Sequence, residues 1–373
     1  MKIALFFSYK NSVKSWYESG ILSRELEIFR TLNKKYNFQY IFITYGNQDD
    51  IELVKDKFIK VIPIYKYFKK SKSNIVNIFK SLLFPFKIRS VLKKTDYLQQ
   101  NQLNGVWISI VAKIIVGKPL YVRTGYDLVL FNIKNKKNFL KVTLYKFFTY
   151  LALNMATLYT VTSKQDYEHL INNYSFKKSK LKLHRNWVVT GQKNFESKEG
   201  DILCVGRLES QKNYLKILND FKNTRDSVRI DIVGEGSLKE NLKLLAQKNK
   251  VNVKFLGKLD NVQLKDLYSN YKFFISSSLF EGNPKSLLEA MGAGCVVLAS
   301  DIPNHRELID NKVNGVLIEL YNGNFYKKYM ELKENKKLID KISENSIKKI
   351  QECNSIDVIS SLIYKEITTP NEK

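Results

Sequence analysis

Leu279-Phe280-Glu281-Gly282-Asn283-Pro284-Lys285-Ser286-Leu287-Leu288-Glu289-Ala290-Met291-Gly292-Ala293-Gly294 is the stretch from which the rest of the chain is read. The apolar run ahead of it, Phe273 to Ser276, has the composition of a buried strand, and the stretch passes through a short loop into a helix. Asn283 is a favourable N-cap, and Pro284 suits the first helical position because proline has no N–H to leave unpaired. Gly292 and Gly294 then stop the helix. On this reading the amides of Lys285, Ser286 and Leu287 point out of a helix end whose macrodipole favours an anion. Glu281 lies in the loop before them. Glu289 leans back toward the same end, because helical side chains tilt toward the N-terminus. Two carboxylates around a site that otherwise attracts negative charge suit a ligand with a phosphate and several hydroxyls, such as a sugar nucleotide. A capped amphipathic helix with solvated glutamates would share some of these features, but not all at these spacings.

The run E-G-N-P-x-x-x-L-E-A-M-G-x-G, with its two glutamates eight positions apart, resembles the signature of glycosyltransferase family 4. That resemblance covers residues 200–320 specifically and the first half only in general pattern. It implies an α/β GT-B fold, two facing Rossmann-like doubly wound domains with an interdomain cleft. It also implies sugar transfer from a nucleotide-sugar donor with retention of anomeric configuration.

At 373 residues the chain exceeds one comfortable core, so two domains are expected. Three widely spaced cysteines, Cys204, Cys295 and Cys353, suggest neither a zinc site nor a disulfide framework and fit a reducing cytoplasm. The N-terminal run Met1 to Tyr9 has too short an apolar core for a secretion signal and reads as a first strand. No run approaches the length needed to span a bilayer. Charge is unevenly placed: residues 1–190 carry 33 Lys and Arg against 11 Asp and Glu, whereas residues 191–373 carry 29 against 25. The first half is therefore expected to meet a polyanion.

Short apolar runs alternate with helical patterns through both halves, which predicts βαβ units around parallel sheets. In the first half the strands are 3–7, 40–44, 61–64, 96–99, 120–123 and 158–162. Helices are expected at 22–33, 106–116, 139–155 and 166–172. In the second half the strands are 201–205, 228–233, 251–256, 272–276, 296–299 and 316–318. The expected domains are 1–187 (acceptor-binding), 188–345 (nucleotide-sugar-binding) and 346–373. The polar segment 190–200 is read as a linker, and a final helix near 344–367 is expected from the resemblance to cross back to the first domain.

Residues 53–94 carry twelve Lys and Arg against one acidic residue, Asp56, interleaved with apolar and aromatic side chains. A basic amphipathic surface of this kind suits an anionic membrane face, and no nucleic-acid module accompanies it. The alternative is that the apolar residues face the domain's own core. A second patch, Lys134, Lys136, Lys137, Lys141 and Lys146 with Phe139, Leu140, Phe147 and Phe148, extends the pattern.

Gly206-Arg207-Leu208 with Lys212-Asn213 follows the first strand of the second half. Gly206 permits close backbone approach, while Arg207 offers a bidentate fork and Lys212 a compact charge for a diphosphate. The pattern G-R-L-x-x-x-K-N also resembles the family's diphosphate clamp. Glu235, between Gly234 and Gly236, and Gly257 match family segments lining the nucleotide pocket. The resemblance thus implies catalytic roles for Glu281, Arg207 and Lys212. Donor-binding roles follow for Gly206, Glu235, Gly257, Gly282, Asn283, Pro284, Ser286, Leu287 and Glu289, with Glu289 accepting from the ribose hydroxyls. In the first half, Gly20 either admits a ligand or is a plain loop glycine. Where the family often carries a histidine, this chain has Tyr126 followed by Asp127; Asp127 either accepts from a sugar hydroxyl or caps a helix.

No D-x-D motif occurs in the chain, so no metal or other cofactor is expected, and the leaving diphosphate must be met by Arg207, Lys212 and the amides after Asn283. The expected reaction moves a sugar from a nucleotide-sugar, taken as a UDP-sugar, to a lipid-linked saccharide in bacterial surface polysaccharide assembly. The expected place is the cytoplasm, peripheral on the inner face of the cytoplasmic membrane, with an anionic membrane surface as partner through residues 53–94 and no nucleic acid. The alternatives are a phosphorylase or epimerase of the same fold, or a non-catalytic membrane or nucleic-acid binding protein.

Overall fold

The structure is a computed structural model and describes residues 1–134, 138–189, 200–224 and 228–369. Contacts divide the chain into two units, Met1–His184 with Ser360–Lys373, and Arg185–Ile359.

Unit 1 holds a parallel sheet of β1 (Lys2–Phe6), β2 (Gln39–Thr44), β3 (Ile59–Pro63), β4 (Tyr97–Asn101), β5 (Leu120–Arg123), β6 (Leu158–Val161) and β7 (Leu181–Leu183), in the order β3-β2-β1-β4-β5-β6-β7. Unit 2 holds β8 (Gly200–Val205), β9 (Arg229–Val233), β10 (Asn252–Gly257), β11 (Tyr271–Ser276), β12 (Val296–Ser300) and β13 (Val316–Ile318), in the order β10-β9-β8-β11-β12-β13. Helices cover both faces, so strands such as β1 and β12 carry apolar runs: Ala4, Leu5 and Phe6, and Val296 to Ala299, are fully buried. In each sheet the strand order reverses beside the first strand, between β1 and β4 and between β8 and β11. In doubly wound sheets that reversal point is where ligands bind, beyond the carboxyl ends of the strands.

Several elements depart from the sequence reading. A short helix, Val13–Glu18, stands between β1 and the helix Leu22–Tyr36, and Gly20 makes the turn between the two helices with φ 72°. That positive φ accounts for the glycine without a ligand. β7 was not foreseen. Within 53–94 the apolar residues divide between two fates. Phe84, Ile88 and Leu92 are core, Tyr65, Phe68 and Val91 pack against it, and Tyr67, Ile75, Phe79, Leu83 and Phe86 are exposed.

The expected final helix is two. Lys336–Cys353 lies in unit 2, and Ile356–Thr368 follows after a break at Asn354 and Ser355. The break is held by Val188, whose N–H donates to the Asn354 carbonyl and whose carbonyl accepts from the Ile356 N–H. From Ser360 onward the last helix packs within unit 1, where Tyr364 stacks on Tyr36 at 4.0 Å. The proposed linker, apart from Gly200, and Lys136 and Lys137 lie outside the described residues.

Candidate active site in unit 2

The loops after β8, β9 and β10 lock together through their main chains. The Gly206 N–H donates to the Val233 carbonyl at 3.0 Å, the Leu208 N–H to the Glu235 carbonyl at 2.9 Å, and the Gly234 N–H to the Gly257 carbonyl at 2.8 Å. Gly234 has φ 143°, and a Cβ there would stand 2.0 Å from the Gly206 carbonyl oxygen. Only glycine lets these loops approach so closely. Glu235 pairs with Lys239 at 2.7 Å, one helical turn away. Glu209 accepts from both the N–H and the hydroxyl of Ser237, at 2.9 and 2.8 Å, tying the first loop to the second.

β8 and β11, the two strands at the reversal point, deliver the charged groups. Beyond β8, Arg207 is exposed and its Nη2 lies 3.3 Å from Gln211 Oε1. A 3-10 turn, Ser210–Lys212, then places Lys212 beneath the loop from β11. That turn is held by Ser277, whose hydroxyl donates to the carbonyls of Lys212 and Asn213, and by Leu279, whose N–H donates to the Gln211 carbonyl. Lys212 Nζ reaches Glu281 Oε1 at 2.5 Å, with side-chain exposures of 16% and 8%. The Ser278 hydroxyl donates to the same oxygen at 2.6 Å, and the Gln211 amide lies 3.5 Å from Oε2. Burial pushes the Glu281 carboxyl up, but Lys212 and Ser278 outweigh it and hold the group below the usual glutamate range.

Asn283 does not cap the following helix. The helix runs Lys285–Gly292 with Pro284 in the capping position, one residue later than the sequence suggests. Asn283 instead binds Asn186: its Oδ1 accepts from the Asn186 N–H at 2.9 Å and its carbonyl from Asn186 Nδ2 at 2.7 Å. A tertiary partner far away in sequence has displaced the local cap. Pro284 and Leu287 are buried, whereas Gly282, Ser286 and Glu289 are partly exposed. Tyr268 donates its hydroxyl to Glu289 Oε2 at 3.1 Å, fixing that carboxylate on the helix. Lys285 lies over the Trp187 ring at 4.3 Å.

Motif reading did not single out Gln211, Ser277, Ser278, Asn186 or His305. The run Ser276-Ser277-Ser278 at a strand end was the one available signal for the hydroxyl donors. His305 is fully buried, with Nδ1 2.7 Å from the Ser300 carbonyl, while the Ser300 hydroxyl donates to the Ser278 carbonyl at 2.6 Å. Burial holds the His305 imidazole below its ordinary pKa, against the pull of Glu281.

Gly20, Tyr126 and Asp127 belong to unit 1. Asp127 is a helix cap: its Oδ1 accepts from the N–H groups of Val129 and Leu130 at 2.7 and 3.0 Å. The residue is buried, which pushes its carboxyl above the usual range. Tyr126 is partly exposed, with its ring 5.2 Å from Phe131.

The family model described as glycosyl transferases group 1 matches residues 187–349, the span that holds all the site loops of unit 2. The O-antigen biosynthesis glycosyltransferase WbnH of Escherichia coli is 30% identical over 238 residues, covering 63% of this chain and 67% of that protein. A Campylobacter jejuni protein, N-acetylgalactosamine-N,N'-diacetylbacillosaminyl-diphospho-undecaprenol 4-alpha-N-acetylgalactosaminyltransferase, is 28% identical over 290 residues, covering 73% of this chain and 78% of that protein. Among solved structures, Anabaena Alr3699/HepE in complex with UDP and glucose superposes with a TM-score of 0.76 over 99% of both chains at 14% identity, which shows the shared two-domain GT-B class of fold. With its reversal-point loops inside the matched span and a 30% identical relative of which it covers two thirds, the chain belongs to the group 1 glycosyl transferases and is a glycosyltransferase.

Proposed function

We propose that the protein is a retaining, metal-independent glycosyltransferase of family 4 that moves a sugar from a UDP-sugar to a lipid-linked saccharide during assembly of a bacterial surface polysaccharide. One observation carries this reading. Two cations and two carboxylates from separate loops, Arg207, Lys212, Glu281 and Glu289, belong to the loops and helix that follow the two strands at the reversal point of unit 2. The relatives' names supply the substrate class: one acts on an undecaprenol-linked acceptor and another belongs to O-antigen biosynthesis.

In the proposed mechanism Arg207 and Lys212 meet charge developing on the leaving diphosphate, helped by the amides at the start of the helix Lys285–Gly292. Glu281 is held ionised by Lys212 and Ser278, so its second oxygen can accept from hydroxyls of the donor sugar. Glu289 accepts from the ribose. Attack on the face from which the diphosphate leaves lets that diphosphate take the acceptor proton, so no separate protein base is required. Metal independence rests on the lack of a D-x-D motif in the sequence together with the cations available here.

The test is transfer of radiolabel from a panel of nucleotide sugars to an undecaprenyl-diphosphate-linked saccharide. Arg207→Ala and Glu281→Ala should each lower turnover by about a hundredfold or more, and excess chelator should leave the rate unchanged. Near-normal rates in both variants refute the assigned roles, and a strict divalent-metal requirement refutes the metal-free account.

A further inference from the structure

The helix Asn74–Lys87 is turned inside out. Its inward side carries Asn77 and Ser81 alongside Phe84 and Pro85. Asn77 accepts from the Ser71 N–H at 2.9 Å and donates to the Ser71 carbonyl at 2.8 Å, while Ser81 accepts from the Trp107 indole at 2.9 Å. Outward stand Ile75, Phe79, Leu83 and Phe86, each more than half exposed. Their spacing of four, four and three residues makes one continuous stripe. A helix that only covers a core places such residues on the other side.

The helix Phe139–Met155 repeats the arrangement. Val142, Thr149, Ala152 and Leu153 are buried, whereas Leu140, Leu144, Phe147 and Tyr150 form an outward stripe, with Leu140 75% exposed. Both helices pack on Val106–Val116, where Trp107 meets Phe148 at 5.4 Å and Ser81 from the other side. Phe84, Ile108, Ala152 and Leu153 share one core, so the two stripes look outward from the same layer of unit 1.

Charge identifies the occupant. No Asp or Glu occurs from residue 57 to 95 or from 128 to 165, while Lys and Arg are frequent in both segments. Lys87 lies over Phe68 at 4.9 Å and Lys141 over Tyr145 at 5.9 Å, so these cations are held among the aromatics. A second copy of the chain seated here would set one acid-free basic surface against another. Nucleic acid would match the lysines but leave two aliphatic stripes in water. An acidic bilayer satisfies both, taking the stripes into its headgroup boundary and the lysines against its phosphates.

We infer that the outward faces of Asn74–Lys87 and Phe139–Met155 form one docking surface for an anionic lipid bilayer, with both helices lying in the membrane plane. No helix among the described residues is long and apolar enough to cross a membrane, so this attachment is to a surface. It is independent of the proposed reaction, because no residue of the donor site takes part.

The test uses the full chain with vesicles of phosphatidylcholine alone or mixed with phosphatidylglycerol. The wild type should co-sediment with the mixed vesicles and detach as salt rises from about 0.1 M to about 1 M. The variants Phe79→Ser/Leu83→Ser and Leu144→Ser/Phe147→Ser should each lower partitioning roughly tenfold with unchanged thermal midpoints. Three results overturn the inference: no wild-type binding to mixed vesicles, undiminished binding by both variants, or a wild-type dimer that the variants abolish. Tight oligonucleotide binding that displaces the vesicles also overturns it.

Discussion

Replacing Lys212 with alanine removes the cation that pairs with Glu281 and leaves a carboxylate whose side chain is 8% exposed. Breaking a buried pair from one side costs about 3–5 kcal/mol, and the residual 16% exposure of Lys212 favours the lower end. For a unit of this size about 3 kcal/mol lowers the thermal midpoint of its transition by about 6–12 °C. Glu281→Gln should cost less, about 1–2 kcal/mol, because Lys212 can extend toward water and the amide still accepts from Ser278. Lys212→Ala/Glu281→Gln should then be more stable than Lys212→Ala alone.

The pH dependence gives a second reading of the same pair. In the wild type the folded pKa of Glu281 is depressed, so its contribution to stability is present above the unfolded value and fades as pH falls through the folded one. Without Lys212 the burial effect is opposed only by Ser278 and His305, and the folded pKa rises. The protonated carboxyl is then the favoured buried form, so the deficit of Lys212→Ala is largest at neutral pH and narrows as pH approaches the carboxylate range. Urea unfolding at pH 7 and about pH 5 for the four proteins measures both effects. Additive losses in the double variant, or a deficit that does not change with pH, would refute the coupling.

Gly234→Ala would drive a Cβ into the Gly206 carbonyl at 2.0 Å, so a loss of about 3 kcal/mol and of UDP binding is expected in a thermal-shift titration. Gly117→Ala, with φ 68° but open space around it, should cost only about 1 kcal/mol and leave UDP binding intact. Asp127→Ala should lose about 1 kcal/mol with the cap, whereas Asp127→Asn keeps the cap. Because burial raises the folded pKa of Asp127, its ionised form is disfavoured, and Asp127→Asn should gain on the wild type as pH rises above the carboxylate range. Equal stability of the alanine and asparagine variants at all pH values would argue against the capping role.

Much of the architecture was legible because both sheets are parallel and buried on both faces, which writes strands such as β1 and β12 as apolar runs. The helices Val106–Val116 and Phe139–Met155 begin and end where their sequence patterns do. Three parts were hidden for identifiable reasons. The helix Asn74–Lys87 was read only as part of a basic amphipathic stretch and not as a helix, because its apolar stripe faces outward and Asn77 and Ser81 take its inward side. Asn283 satisfies every local rule for a cap, yet Asn186, 97 residues away, takes its side chain. Lys212 and Glu281 were assigned to separate ligand groups by motif, and their pairing depends on Ser277 and Leu279 drawing the two loops together.

The Asn283 knot has a further consequence for anyone re-engineering the chain. Asn354 Nδ2 donates to the Asn186 carbonyl at 2.8 Å, so Asn186 joins the point where the backbone arrives in unit 2, the point where it departs and the loop bearing Glu281. A chimera whose exchanged segment runs past Arg185 therefore needs to keep Asn186 and Val188 unchanged. Losing them would unpick the seam at both crossings and slacken the donor loop, even with each loop residue intact.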